Sequence, residues 1–123
     1  MKTETVQEIP EVRFYHRISI KEKALFYEHL ANMVDGGVSV IAALHSFLDK
    51  NSNAKMEAEI LNLLVFVESG DSFSIAMKKL PSTFDKREVA IIEAGEQSGT
   101  MQHSFVNLAD ELRNQEELRS KVK

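Results

Sequence analysis

Four histidines, a run of glycines and a set of closely spaced acids are the residues of this sequence that could do chemistry. The histidines stand at His16, His29, His45 and His103. None pairs with another ligand three or four residues on in a metal-binding pattern, and no H-E-x-x-H is present, so zinc hydrolysis finds no support. Surface or rim positions are the expectation for all four. Serines are numerous, but Ser19, Ser39 and Ser72 fall where a helix needs a cap, and no G-x-S-x-G elbow would make one a nucleophile. Gly95 to Gly99 is too short for a phosphate loop and lacks its G-K-[ST] ending. Glu93 and Glu96, with Asp110 and Glu111 on the next helix, could meet a divalent cation. Calcium, however, asks for six or more oxygens, several of them loop carbonyls, and no EF-hand loop is present. A solvated acidic face is the expectation, with no metal and no catalytic residue.

The composition agrees. The chain has 123 residues, 43% apolar and 28% charged, which suits one soluble globular domain. Its formal net charge of −4 argues against a nucleic-acid partner, which would call for a basic face. No cysteine is present, so disulfides, thiol catalysis and zinc ribbons are excluded. The N-terminus lacks the apolar stretch of a signal peptide, and no apolar run approaches the ~18 residues of a membrane span.

Residues 1–18 carry no helical period and contain Pro10, and we read an extended arm in which Val12, Phe14 and Ile18 alternate. Six helical segments follow. Ser19 and Glu22 form a capping box ahead of a stripe of Leu25, Phe26, Leu30, Met33 and Val34, stopped at Gly36-Gly37. Ser39 caps a second helix with Ile41, Leu44, Phe47 and Leu48 inward, and Asn51-Ser52-Asn53 breaks it. Asn53 caps a third, carrying Met56, Ile60, Leu63, Leu64 and Val67 to Gly70. Ser72 opens a short fourth, with Phe73, Ala76, Met77 and Leu80, closed by Pro81. Asp85 and Glu88 form a second capping box for a fifth helix bearing Val89, Ile91 and Ile92, with Ala90 and Ala94 beside them. Gly99 ends it. Thr100 caps a sixth, which buries Met101, Phe105, Leu108 and Leu112 and turns strongly charged after Arg113. Short connections make this an all-α fold, an antiparallel six-helix bundle over residues 19–123.

The stretch from Ile91 to Thr100 stands apart. Gly95 lies inside a helical pattern, where it costs about 1 kcal/mol against alanine. Gly95, Gly99 and the adjacent Ala94 form a face with almost no side-chain bulk. Either a neighbouring helix packs there, with Gly99 as a C-terminal cap, or a partner does.

Here the sequence resembles a known family. Gly95-Glu96-Gln97-Ser98-Gly99 before an amphipathic helix is similar to the G-E-x-S-G motif of the F-type inner-membrane platform proteins of type II secretion and type IV pilus assembly, the GspF and PilC family. Phe26 to Leu30, Met33 to Gly37 and Leu44 resemble its F-x-x-x-L-x-x-x-x-x-x-G and A-L elements. Glu68 to Ser74, with Ala76, resembles its V-x-x-G-x-S-L-S-x-A turn, and Phe84 loosely matches its proline-phenylalanine approach. The motifs fall in the family's order across residues 20–123. Departures are Gln97 at the variable position and Met101-Gln102 in place of leucine and acid. A short N-terminal arm leans toward a pilus system.

The resemblance implies the first of two cytoplasmic helical domains of a bacterial inner-membrane platform protein, without catalytic activity. Its partners would be the cytoplasmic assembly ATPase and other inner-membrane proteins, and such domains are prone to dimerise. A calcium ion is associated with the fold, but no ligands match here, so the metal site is left empty and no cofactor is assigned. Gly95, Glu96, Ser98 and Gly99 become the candidate partner-binding or close-packing corner. Arg119, Lys121 and Lys123 form a basic tail without acids, as expected on the cytoplasmic flank of a membrane helix. We therefore expect a longer membrane protein cut short before its first membrane helix. The alternative for the tail is a helix end complementing its own dipole. The competing function from another class is a small helical nucleic-acid-binding or regulatory domain, using residues 85–112 as a helix-turn-helix.

Overall fold

The computed structural model describes residues 18–50 and 53–122, and of Val122 the backbone alone. Most of the proposed N-terminal arm, His16, the Asn51-Ser52 break and Lys123 therefore lie outside the described residues. Within them the chain is all-helical, with six helices and no strand. They are α1 (Ile20–Asp35), α2 (Val40–Lys50), α3 (Ala54–Glu68), α4 (Phe73–Lys78), α5 (Lys86–Ser98) and α6 (Met101–Val122).

The helix starts follow local hydrogen-bond chemistry. Ser19 and Glu22 form a complete capping box, each side chain accepting from the other's backbone N–H at 3.1 Å. Ser39, Asn53 and Ser72 accept from the N–H groups of Ala42, Met56 and Ile75. The ends differ in detail: Gly37, Gly70 and Gly99 have positive φ, and α4 stops at Lys78, ahead of Pro81.

Each helix packs on its sequence neighbour, and α6 closes the ring by lying along α1 in the most extensive pairing of the described residues. Aromatic rings fill the centre. Phe26 of α1 meets Phe47 edge-on at 5.5 Å and Phe84 at 6.2 Å, while Phe105 of α6 stacks on Tyr27 at 6.3 Å and meets Phe73 at 5.7 Å.

Several positions differ from the sequence reading. Leu25, placed in the apolar stripe, is 47% exposed, and Tyr27, left out of it, is wholly buried. The reason is that α1 is covered on two sides, by α2 and α6, so its inward face is rotated toward Ala24, Tyr27 and Ala31. Ala90 and Ala94 are exposed. The second capping box is half formed: Asp85 accepts from the Glu88 N–H at 2.8 Å, but the Glu88 side chain goes elsewhere.

Glu88 is 4% exposed, and its carboxylate turns into the domain. One oxygen accepts from the Tyr27 hydroxyl at 2.6 Å and the other from the Lys23 ammonium at 2.6 Å. Lys23 also donates to the Thr83 carbonyl at 2.7 Å and lies over the Phe84 ring. Burial, then the Glu88 charge, raises the Tyr27 pKa well above its usual value, so the phenol stays a donor. Removing Glu88 would leave the largely buried Lys23 ammonium without its counter-charge and the buried Tyr27 hydroxyl without its acceptor. Glu88→Ala is therefore expected to lower the unfolding free energy by about 3–5 kcal/mol, read from urea titrations; a loss no larger than that of an exposed alanine substitution would contradict this.

Candidate functional site

The glycine corner is built where α5 ends. Gly99 takes a left-handed conformation (φ 75°), and the Thr100 N–H returns to the Gly95 carbonyl at 2.9 Å. This tight reversal lays the first turn of α6 directly on the last turns of α5. Gly95 is buried at that contact. A Cβ on it would lie 3.1 Å from Ser104 Cβ and 3.3 Å from Met101 Cα, and closer still to Ser104 Oγ. The space that the missing side chain leaves is thus filled by α6 of the same chain.

Glu96 also faces inward. Its carboxylate grips Ser74 of α4 with both oxygens, accepting the backbone N–H at 3.0 Å and the hydroxyl at 2.6 Å. The N–H belongs to the first turn of α4, where backbone donors lack intrahelical partners and a negative charge is favoured. Two stretches read as separate motifs, one ending at Ser74 and the other opening at Gly95, therefore meet through this contact. Ser98 and Gly99 face outward. The Ser98 hydroxyl donates to the Ala94 carbonyl at 3.0 Å and lies 2.7 Å from Thr100 Oγ1. Ala94 is turned away from Gly95, so the low-bulk face is narrower than the sequence suggested.

Arg119 and Lys121 are exposed on the last turns of α6. Among the described residues no group of three or more His, Cys, Asp or Glu side chains is placed to share a metal ion. Glu111 pairs instead with Arg87 and Glu28 with Arg113, which ties α6 to α5 and to α1. No helix of the described residues is long and apolar enough to cross a membrane.

The histidines divide. His45 and His103 are on the surface, His45 lying 3.3 Å from Glu68. His29 sits at the rim beside Phe47, ring centroids 5.3 Å apart, with its Nε2 buried and without a partner. Desolvation, then the nearby Lys50 charge, lowers its pKa, while a hydrogen bond to the Ala43 backbone works the other way.

Lys23, Tyr27, Ser74 and Glu88 carry the inner polar contacts, and sequence reasoning assigned none of them a role beyond the Glu88 cap. Lys23 and Tyr27 are four apart, on one side of α1, which is the one available signal. That a carboxylate sixty-one residues from Tyr27 would bond its hydroxyl has no local signature.

The inner polar contacts thus tie helices of one chain together, and the glycine corner is occupied by that chain itself. Comparison with known sequences places the chain in a family. The family model "Type II secretion system (T2SS), protein F" matches residues 26–123. The chain belongs to that family. Among its relatives, the type IV pilus assembly protein PilC of Myxococcus xanthus is 29% identical over 84% of this chain and 25% of that protein. PilC of Thermus thermophilus is 31% identical over 85% and 25%. The type II secretion system protein F of Vibrio cholerae is 26% identical over 89% and 27%. The chain thus spans about a quarter of the length of these relatives. They are named for assembly and secretion, and none bears an enzyme's name.

Two outcomes are expected. Gly95→Ala should be destabilising by about 1–3 kcal/mol despite alanine's higher helix propensity, because Met101 Cα is backbone and cannot swing away. Ser104→Gly should restore part of the loss, and equal stability of Gly95→Ala and the parent would refute the close contact. For His29, the folded pKa lies below the unfolded value of about 6.5, so the unfolded chain binds the proton first. Stability should hold above that pH, fall as pH drops through it, and level off below the folded pKa. Urea midpoints across this range should depend less on pH in His29→Leu than in the parent.

Proposed function

We propose that this chain is the N-terminal cytoplasmic domain of a bacterial inner-membrane platform protein for type IV pilus biogenesis or type II secretion. In this reading residues 19–123 form an antiparallel bundle ahead of a first transmembrane helix. They act without catalysis or cofactor, as a scaffold that docks the assembly ATPase and other inner-membrane components. The observation that carries the proposal is the family match over residues 26–123, in which the two motif-bearing stretches are joined by the Ser74–Glu96 contact. Antiparallel packing is supported by the order of contacts between α1 and α6. Lys21 lies in one groove with Glu116 and Glu117, whereas Tyr27, further along α1, stacks on Phe105, further back along α6. The basic tail of Arg119, Lys121 and Lys123 fits a position beside the cytoplasmic leaflet.

The test is binding to the cognate assembly ATPase. Calorimetry of the purified chain against that ATPase, with and without nucleotide, should show a saturable complex. A strain lacking the gene should lose surface pili or secretion. Absence of any complex, together with intact piliation and secretion in the deletion strain, would overturn the reading.

A further inference from the structure

The third helix is apolar on two opposite faces. Met56, Ile60, Leu63 and Leu64 point into the core, fully or almost fully buried. Diametrically across the helix, Ala54, Ala58, Leu61 and Val65 are all exposed, Leu61 by 53% and Val65 by 63%. A helix that is apolar all round is normally covered all round. Here α2 and α4 cover the inner side and flanks, and the outer stripe is bare among the described residues. The spacing of that stripe, four, three, then four residues, is the seam of a two-helix coiled coil.

The flanks of the stripe are unequal. On the side of α2 stand Glu57 and Glu68, the latter identified with that side by its contact with His45. On the side of α4, marked by Phe66 beneath the Lys79 ammonium, the exposed flanking residues of the chain are the uncharged Asn62 and Ser69, and the two lysines there, Lys55 and Lys79, are paired with Glu59 and Asp71. We propose that the outer face of α3 is a docking surface for an amphipathic helix of another protein. That helix presents an apolar seam to Ala54, Ala58, Leu61 and Val65 and basic residues to Glu57 and Glu68. A second copy of this chain is a poorer occupant, since antiparallel pairing of α3 with itself sets these glutamates against their own counterparts. The same acids disfavour an anionic bilayer. The surface is inferred from α3 alone and does not rest on the pilus or secretion reading.

The probe is a pair of synthetic helical peptides with one leucine seam in four-three spacing, one flanked by lysines and one by glutamates. Each is titrated into the isotope-labelled chain and followed by NMR. The lysine-flanked peptide should bind about tenfold tighter, shift the α3 outer-face resonances, and weaken as salt is raised. Leu61→Ser with Val65→Ser should weaken it by a further tenfold or more. Glu57→Lys with Glu68→Lys should reverse the preference between the peptides, which keeps the test decisive should the serine variant fold poorly. Equal binding of both peptides, shifts confined to other helices, or self-association abolished by the serine variant would each overturn the proposal.

Discussion

The carboxylate of Glu88 holds more of this domain in register than any other single group. It begins at the first turn of α5 and ends between two residues of α1, while Lys23 carries the connection on to the Thr83 carbonyl. Apolar packing is forgiving about sliding, because one leucine contact resembles another. Two directional bonds to a buried acid, with a third from the same ammonium to a backbone carbonyl, are not. Moving α1 by one turn along α5 would strand an ammonium, a phenol and a carboxylate in apolar surroundings, each at several kcal/mol by order of magnitude. One alignment satisfies all three. The stacking of Tyr27 on Phe105 then passes that alignment to α6.

A second tie closes the opposite end. Glu96 reaches from the end of α5 to the start of α4, and Gly95 lets α6 begin directly against α5. With α5 fixed at its first turn by Glu88 and at its last by this corner, the helix works as the strut between α1 and α4. The family features that resemble a binding motif are accounted for at this level by intrachain contacts, which also explains why glycine and glutamate stand side by side there. The outward residues, Ser98 and Gly99, are the part of the motif that a partner could reach.

Membership of the type II secretion system protein F family suits such a body. Its six helices form a ring closed by α6 on α1. Five polar side chains are buried among the described residues, Glu59, Ser74, Thr83, Glu88 and Ser104, while most charged side chains lie outward. The surface keeps an apolar face on α3 and exposed charges along the far end of α6.

Much of the local architecture was legible in the sequence. Serine, asparagine and aspartate caps, glycine stops and most core residues of α3 and α4 depend on neighbours a few positions away and are found where spacing placed them, with Val67 and Leu80 only partly buried. The family resemblance was legible too, as short motifs in a fixed order. Helix rotation was not. Leu25 and Tyr27 exchanged places because two neighbours, α2 and α6, decide which side of α1 is inside, and periodicity gives a stripe without saying how wide its cover is. Nor could spacing show that Glu88 would leave its own cap for Tyr27, or that Glu96 would find Ser74. Sequence alone determined where each helix starts, where it stops and which residues are apolar enough to bury. The tertiary structure decided which charges are buried and with whom, because a buried charge is tolerated only where residues distant along the chain arrive together to satisfy it.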